Sequence, residues 1–305
     1  MILLTGASGY LGRAVLSELR GAGLPVVLAC RAPVDSDTAR LMDLTQVAGY
    51  RDLLAGVHVV VHCAGIAHNK GSAEAYEQVN VRGTMALADA AIAAGVKRFI
   101  FISSLNIVDP RVDDPTAMAS TLPMPDTPYA RSKWRGEQAL EQLLGHSPCD
   151  LIIVRPGLIY DGELTANLKV LARLAHWLPL CLPETGHRAM VSRPDLAGLL
   201  VTLAQAEYDQ VQTIRWVAID GEAYSVRRIA EALGASGCLS VPLRLWRLLM
   251  ALRDVATGQS VGSGWQSLAG EYWYGDRGMS SSTGATRPTE TLEQRLRLEA
   301  RGAEP

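Results

Sequence analysis

A glycine-rich turn near the start of the chain is the feature that most limits the folds available to it. An apolar strand at Ile2–Leu4 runs into the segment Thr5–Gly12 (TGASGYLG), and a helix through Val15 and Leu19 follows. Glycines at 6, 9 and 12 let the backbone turn tightly and approach a pyrophosphate, while the helix N-terminus offers unpaired N–H groups to that anion. A strand, turn and helix of this kind predict a dinucleotide-binding α/β unit.

Apolar strands and helical segments then alternate as far as residue 157, which predicts a parallel sheet with helices on both faces, a doubly wound α/β fold. Ligands of such sheets bind beyond the carboxyl ends of the strands. The glycine turn and three short segments stand at those ends and are expected to share one crevice: Ala64–Gly65, Ser103–Ser104 and Pro156–Gly157. A later strand, Ile214–Ile219, is expected to rejoin the sheet.

The pattern loosens after Tyr160, which predicts two structural parts. The dinucleotide-binding domain is expected at residues 1–160 and 190–220, and a smaller, discontinuous substrate lobe at 161–189 and 221–305. Within the lobe, Thr165–Leu180 is predicted to be helical. Leu243–Arg253 is predicted to be an amphipathic helix that packs the lobe, with a membrane surface as the alternative.

Composition excludes several classes of protein. The net charge of -2 gives no general attraction to nucleic acid. Five cysteines are scattered singly, which indicates reduced thiols in a cytoplasmic protein, and no zinc-ligand spacing is present, so no metal site is expected. No apolar run is long enough to cross a bilayer, and the first strand starts at Ile2, so no signal peptide is expected.

A tyrosine and a lysine occupy one predicted helix face. Thr127 suits the N-cap, Pro128 suits the first helical position, and Tyr129 and Lys133 are four residues apart. A phenol with a pKa of about 10 is a poor base at neutral pH. A fixed ammonium nearby would favour the phenolate, so the pair is a candidate for proton transfer, whereas an exposed helix face is the alternative.

The type of dinucleotide is indicated by the second strand. An NAD site places an acidic residue near the end of this strand, but Cys30 stands there and Arg31 follows. An arginine suits the 2′-phosphate of NADP, so NADP is favoured over NAD, unless Arg31 is simply solvated. Asp43 and Leu44 are expected to meet the adenine.

Taken together, these motifs resemble the extended short-chain dehydrogenase/reductase superfamily, and within it the NAD(P)-dependent nucleotide-sugar epimerase/dehydratase family. The resemblance rests on the glycine turn, His62–Gly65, Asn80–Thr84, Gly95–Ser104, the pair Tyr129 and Lys133, and Arg155–Gly157. Its bacterial polysaccharide subgroup of 4-epimerases and 4-keto-sugar reductases is indicated by Ala166–Leu168, Leu178–Leu180, Arg188 and Asp195–Leu196.

The resemblance implies roles for individual residues. Tyr129 would exchange a proton with a sugar hydroxyl, Lys133 would lower the pKa of Tyr129 and bind the nicotinamide ribose, and Ser104 would orient the reacting oxygen. Arg188, with Asn167 and Leu168, would hold the nucleotide diphosphate. The residues expected to contact the cofactor are Gly6, Ser8, Gly9, Tyr10, Leu11, Gly12, Arg31, Asp43, Leu44, Cys63, Ala64, Gly65, Asn80, Ile102, Tyr129, Lys133 and Pro156.

Departures from the family pattern bear on the reaction. Leu105–Asn106 stand where family dehydratases carry Asp-Glu, so dehydration is rejected. Val108–Asp109 replace the usual Tyr-Gly pair, Tyr160 is followed by Asp161 before Gly162, and Ser280–Arg287 is abbreviated. These three departures concern the substrate lobe and leave the nicotinamide chemistry unchanged.

Hydride transfer at C4 of a nucleotide-linked hexose by a 4-epimerase is the leading interpretation. An NADPH-dependent 4-keto-sugar reductase is the first alternative, and a reductase of a non-sugar ketone is the second. A nucleotide-binding regulator without catalysis is argued against by the presence of Ser104, Tyr129 and Lys133. Similar enzymes pair as homodimers, so the resemblance implies a homodimer.

Overall fold

The computed structural model describes residues 1–31, 38–46, 50–67, 70–162, 180–181, 184–207, 213–234, 239–240, 242–256, 270, 272–274 and 291–296. The described strands are β1 (Ile2–Thr5), β2 (Val26–Cys30), β3 (Ala39–Leu41), β4 (Val59–His62), β5 (Arg98–Ile102), β6 (Asp150–Pro156), β7 (Leu158–Tyr160), β8 (Leu180–Cys181), β9 (Arg188–Ser192), β10 (Thr213–Ala218), β11 (Ala223–Tyr224) and β12 (Leu239–Ser240).

The α-helices with assigned bounds are α1 (Tyr10–Gly21), α2 (Tyr50–Leu53), α3 (Ala73–Tyr76), α4 (Thr84–Ala93), α5 (Pro128–Leu144), α6 (Arg193–Gln205), α7 (Val226–Ala232) and α8 (Leu243–Ala256). Residues 292–296 are also helical. A π-helical segment, Glu77–Gly83, joins α3 to α4, and 3₁₀ turns occur at Leu105–Ile107 and Ala119–Thr121. The described residues fall into two units, the first within Met1–Pro156 and Arg193–Ala218, the second within Gly157–Ser192, Ile219–Asp276 and Arg287–Pro305.

The first unit is built on a seven-stranded sheet in the order β10-β6-β5-β4-β1-β2-β3. Every neighbouring pair in it is parallel. Its central strands are rich in large apolar residues and almost completely buried, as a sheet covered on both faces requires, and Phe99, Ile100 and Phe101 have no exposed surface. This is the predicted Rossmann-like α/β fold, and β10 joins the sheet as expected.

The chain reverses its direction of travel across the sheet at β1, which lies between β2 and β4. Such a reversal leaves a crevice at the carboxyl ends of the two strands, because the connections leave to opposite sides. Helices α4 and α5 cover the sheet face that carries Leu3, Phe99 and Phe101, through residues such as Leu87 and Leu140. Loops that follow β1, β4, β5 and β6 therefore emerge at one edge of the sheet.

The second unit contains a small sheet in the order β11-β9-β7, in which β7 and β9 are parallel and β11 is antiparallel to β9. Its core gathers Tyr160, Met190, Tyr224, Trp246 and Leu292. Most of the predicted helix at 165–180 lies outside the described residues. The last residue of that segment, Leu180, was predicted to be helical, but it lies in β8 and pairs with Leu239 of β12 in a short parallel ladder. Among the described helices, none has both the length and the apolar composition needed to cross a membrane.

Candidate active site

The glycine turn packs backbone against backbone at the start of the crevice. Gly6 has a φ of +70°, which only glycine adopts without strain, and its carbonyl accepts a hydrogen bond from the N–H of Gly9 at 2.9 Å. A Cβ on Gly12 would lie 2.0 Å from the Gly6 oxygen, and one on Gly6 would lie 2.7 Å from the Ala64 nitrogen. No larger residue fits at either position.

The N-terminus of α1 follows this turn without a side-chain cap. Gly9 is the N-cap residue and makes no capping bond through a side chain, so the first N–H groups of the helix are available to an anion. The fit to a dinucleotide is therefore good, because the turn is narrow, carries no side chain at Gly6, Gly9 and Gly12, and ends at a positive helix dipole. Within this turn, Ser8 is exposed and Leu11 is buried, while the guanidinium of Arg193 lies 4.5 Å from the ring of Tyr10.

A buried histidine links β1, β4 and α4 beneath the turn. The Thr5 hydroxyl accepts from the Ala64 N–H at 3.0 Å and shares a second hydrogen bond with Nδ1 of His62 at 2.8 Å. Nε2 of His62 is hydrogen-bonded to the hydroxyl of Thr84 at 2.9 Å. Burial first, and the charge of Lys133 second, lower the pKa of His62 to about 3. The ring is therefore a neutral structural element. Among the described residues, no cluster of three or more His, Cys, Asp or Glu side chains is arranged to hold a metal ion.

Asn80 fastens the end of β4 to the helix that carries the tyrosine. Its Oδ1 accepts from the Ile66 N–H at 2.7 Å, and its Nδ2 donates to the Ile66 carbonyl at 3.1 Å and to the Ser132 hydroxyl at 3.1 Å. Ser132 in turn donates to the Tyr129 carbonyl at 2.7 Å. Asn80 is 1% exposed. Its amide is therefore engaged by the protein itself, which makes it a positioning residue for the crevice.

Tyr129 and Ser104 meet at the carboxyl end of β5. Helix α5 begins as predicted, with the Thr127 hydroxyl accepting from the Ala130 N–H at 3.2 Å and Pro128 in the first turn. A hydrogen bond joins the side chains of Tyr129 and Ser104. The Tyr129 ring meets that of Tyr76 edge to face, with centroids 5.8 Å apart. Two hydroxyls from different elements thus lie together at one point.

Lys133 lies one helical turn beyond Tyr129 and is 7% exposed. Its Nζ donates to the carbonyl of Ile102 at 2.8 Å and lies 4.8 Å from the centroid of the Phe101 ring. A Cβ added to Gly65 would come within 3.6 Å of the same Nζ. Burial lowers the pKa of Lys133 to about 8, and the charges of Cys63 and Glu137 oppose this shift.

The phenol of Tyr129 keeps its proton at neutral pH in this structure. Burial raises its pKa to about 12, the hydrogen bond with Ser104 lowers it, and Tyr76 adds a smaller rise. The charge of Lys133 is not among the interactions that set this pKa. Activation of the phenol by the ammonium therefore stays a prediction, while their placement on one helix face is observed.

Residues expected near the adenosine end occupy the ends of β2 and β3. Arg31 is exposed directly after Cys30. The Asp43 carboxylate accepts from the N–H and the hydroxyl of Thr45, both at 2.8 Å, and these bonds lower its pKa, with the charge of Arg31 adding a little. Leu44 is buried against Gly83, where an added Cβ would meet the Leu44 carbonyl at 2.5 Å. Burial raises the pKa of the Cys63 thiol to about 12, which keeps it protonated.

Of the remaining predicted site residues, the structure describes Pro156 and Arg188 but not Asn167 and Leu168. Pro156 ends β6 in the first unit and is buried. Arg188 begins β9 in the second unit, with its guanidinium 5.5 Å from the centroid of the Tyr272 ring. Asn167 and Leu168 lie outside the described residues. The described proton-transfer and cofactor residues therefore all belong to the first unit, whereas Arg188 belongs to the second.

A buried ion pair that was not predicted from the sequence fastens the segment before α5, residues 110–127, which contains Pro110, Pro115, Pro123 and Pro125. Arg155 binds the carboxylate of Glu137, with Nε at 3.0 Å from Oε1, and neither side chain has any exposed surface. The same guanidinium donates to the carbonyls of Pro115 and Ala117 at 2.7 and 2.8 Å. The motif Arg155–Gly157 contained one partner, but nothing local in the sequence connects it to Glu137. This pair ties β6, α5 and the segment together.

Comparison with known proteins gives a consistent result. The model of the NAD dependent epimerase/dehydratase family matches residues 2–187. A UDP-glucose 4-epimerase of Vibrio cholerae is 31% identical over 269 residues, covering 80% of this chain and 79% of the relative. A ceramide reductase of Caulobacter vibrioides is 32% identical over 247 residues, covering 77% of this chain and 71% of the relative.

Solved structures agree on the fold. The UDP-glucose 4-epimerase of Thermus thermophilus in complex with NAD superposes with a TM-score of 0.70 at 20% identity, covering 99% of each chain.

Proposed function

The chain belongs to the NAD dependent epimerase/dehydratase family, and on that premise we propose that it is a nucleotide-sugar 4-epimerase. The reaction proposed is reversible hydride transfer at C4 of a nucleotide-linked hexose. The observation that carries the proposal is the hydrogen bond between Ser104 and Tyr129 beside the buried ammonium of Lys133. Transfer of a proton to and from a sugar oxygen requires such groups, and two hydroxyls and a cation lie at the end of β5.

Each residue has a distinct part in this proposal. Tyr129 acts in the fraction of the enzyme whose phenol has released its own proton to solvent: the phenolate oxygen takes the proton of the C4 hydroxyl and later returns it, while Ser104 holds the reacting oxygen by a hydrogen bond. Lys133 places a positive charge at the base of the site, where it favours a transient phenolate. A bound nicotinamide dinucleotide would supply the acceptor and donor of the hydride, and the glycine turn with α1 would hold its pyrophosphate.

The first alternative is an NADPH-dependent 4-keto-sugar reductase, and two observations favour it. The pKa of Tyr129, raised to about 12, leaves the phenol protonated and ready to donate to a carbonyl oxygen. Arg31 stands exposed at the end of β2, where a 2′-phosphate would be bound, so NADPH is the proposed cofactor of this alternative. The name of the Caulobacter relative offers a precedent for reduction of a non-sugar substrate.

We also propose a homodimer in the cytoplasm. The dimer follows the family resemblance, and the compartment follows from the thiols, since Cys30, Cys63 and Cys149 are free among the described residues. Sedimentation of the purified protein measures the oligomeric state directly.

The deciding experiment identifies the dinucleotide released by denaturing the purified protein and assays the interconversion of UDP-glucose and UDP-galactose. Retained NAD and epimerisation are expected. The variant Tyr129→Phe should lose turnover by about 10³-fold while it keeps the dinucleotide. A protein that carries no dinucleotide, takes up NADPH and leaves both UDP-sugars unchanged would overturn the epimerase in favour of the reductase.

A further inference from the structure

Helix α8 carries an unusual concentration of exposed apolar side chains. Ten large apolar residues of the described chain are substantially exposed, and six of these ten belong to α8: Leu243, Leu245, Leu248, Leu249, Leu252 and Val255. Single exposed apolar residues are common on protein surfaces, but a contiguous group marks an interaction site. The exposed fractions of Leu248, Leu252 and Val255 reach 55%, 58% and 66%.

The spacing of these residues places them on one face. A helix turns about 100° per residue, so positions 245, 248, 249, 252 and 255 share a stripe on the outer side. The opposite side is the one that packs the second unit. Trp246 is 8% exposed and Met250 contacts the same core, which also contains Tyr160 and Leu292. The stripe therefore stays exposed when the opposite side of the helix packs against the core of the second unit.

The charges of α8 are arranged around this stripe. On the helical wheel Arg244 and Arg253 flank it on opposite sides, and Arg247 lies farther round; all three are exposed. The one acidic residue of the helix, Asp254, has no exposed surface and lies 3.9 Å from the guanidinium of Arg253. The charge that α8 presents at its surface is thus positive, although the chain as a whole has a net charge of -2.

We propose that α8 docks on the surface of a bilayer that contains anionic phospholipids. The leucine stripe would enter the boundary between headgroups and acyl chains, while the flanking arginines would meet the phosphates. The helix has 14 residues, a length of about 21 Å, so it lies along the surface and does not cross the bilayer. This contact is independent of the proposed reaction.

A second copy of this chain is the other occupant that could cover the stripe. A twofold pairing through this face would bring the arginine flanks of the two copies together without exposed carboxylates on α8 to neutralise them. The like charges of these arginines oppose the pairing, whereas the negative phosphates of lipids are complementary to the arginines. The charge pattern therefore favours the bilayer.

The test is flotation of the full-length protein with two kinds of vesicle. One kind is phosphatidylcholine alone and the other contains about 30 mol % phosphatidylglycerol. We expect flotation with the anionic vesicles, a loss of about tenfold in binding for Leu248→Gln/Leu252→Gln, and a similar loss for Arg244→Gln/Arg253→Gln. Raising the salt from ~0.1 M to ~0.5 M should also weaken the binding, because it screens the arginines.

The matched control is Met118→Gln/Met124→Gln, which removes exposed apolar side chains from another surface and should float like the unmodified protein. All substituted positions are exposed, and thermal unfolding confirms that each variant is folded. Equal flotation with neutral vesicles, or undiminished flotation of Leu248→Gln/Leu252→Gln, would overturn the proposal. A dimer that these two substitutions dissociate, in a protein that does not float, would assign the stripe to a second copy.

Discussion

The ammonium of Lys133 lies 2.8 Å from the carbonyl oxygen of Ile102, so α5 is hydrogen-bonded to the last residue of β5. The same strand continues into Ser103 and Ser104, whose hydroxyl meets Tyr129. The lysine therefore has a structural part in holding the tyrosine and serine at one sheet edge, in addition to the electrostatic part proposed for it. Substitution of Lys133 tests both the structural and the electrostatic role.

We expect Lys133→Met to lower turnover by at least about 100-fold. We also expect the substitution to change how the stability of the protein depends on pH, because it removes a buried ionisable group. The pKa of Lys133 is lowered from 10.5 to about 8, so the unfolded chain binds its proton more strongly between these values. The native protein should therefore gain stability relative to Lys133→Met as the pH rises from 8 toward 10.5. Thermal unfolding of both proteins across this range measures the difference, and parallel profiles would contradict it.

Asn80→Ala should loosen the crevice. The substitution removes the partners of the Ile66 N–H and carbonyl and of the Ser132 hydroxyl, and part-buried backbone groups left without partners cost about 1–3 kcal/mol each. We expect a loss of about 2 kcal/mol or more in the free energy of unfolding, together with weaker dinucleotide binding. Gln78→Ala is the control, because the amide of Gln78 makes only a 3.5 Å contact with the Thr45 carbonyl. Equal effects of the two variants would refute the positioning role.

Breaking the buried pair of Glu137 and Arg155 should be costly. Glu137→Gln leaves the guanidinium in a fully buried place without its counter-charge, and such changes cost about 3–5 kcal/mol. Arg135→Ala provides the comparison on the same helix, since its ion pair with Glu77 is half exposed and is worth less than about 1 kcal/mol. Denaturant unfolding measures both. A Glu137→Gln variant no less stable than Arg135→Ala would show that the pair contributes nothing.

Asp220 should make the stability of the second unit fall as the pH rises from acid toward neutral. The hydroxyls of Tyr160 and Tyr224 donate to it at 2.8 and 2.6 Å, but burial dominates and raises its pKa from 3.8 to about 6. A raised pKa contributes stability that is present below 3.8 and lost as the pH rises through 6. Relative to Asp220→Asn, the unmodified protein should therefore lose a few degrees of thermal stability between pH 4 and 7.

A second variant checks that interpretation of Asp220. The hydrogen bond from Tyr160 lowers the pKa of Asp220, so Tyr160→Phe should move the same transition to higher pH. If the unmodified protein and Asp220→Asn show the same dependence of thermal stability on pH, the transition does not belong to Asp220. A shift of the transition to lower pH in Tyr160→Phe would also contradict this assignment.

Arg31→Ala separates the two proposed cofactors. If the guanidinium binds a 2′-phosphate, the variant should bind NADPH about tenfold more weakly and NADH with unchanged affinity. Fluorescence titration of the reduced dinucleotides measures both dissociation constants. An equal effect on the two, or none, would remove the argument for NADP.

The sequence was sufficient for features that depend on neighbours along the chain. The glycine turn could be predicted because a left-handed φ at Gly6 and the absence of a Cβ at Gly12 are local requirements. The parallel sheet followed from the alternation of apolar strands and helices, and the shared face of Tyr129 and Lys133 followed from helical periodicity. Each of these depends on a period or a turn that a short segment already contains.

The tertiary structure decided which distant groups meet. Asn80 and Ser132 are 52 positions apart, Thr5 and His62 are 57 apart, and the acceptor of Lys133 is a carbonyl 31 positions away. Such contacts depend on the order and register of β1, β4, β5 and β6, which no local preference encodes. The pKa of Tyr129 is a further example, because burial by surrounding atoms outweighs the spacing on which the sequence argument relied. Desolvation is a property of the assembled fold, so only the structure could supply it.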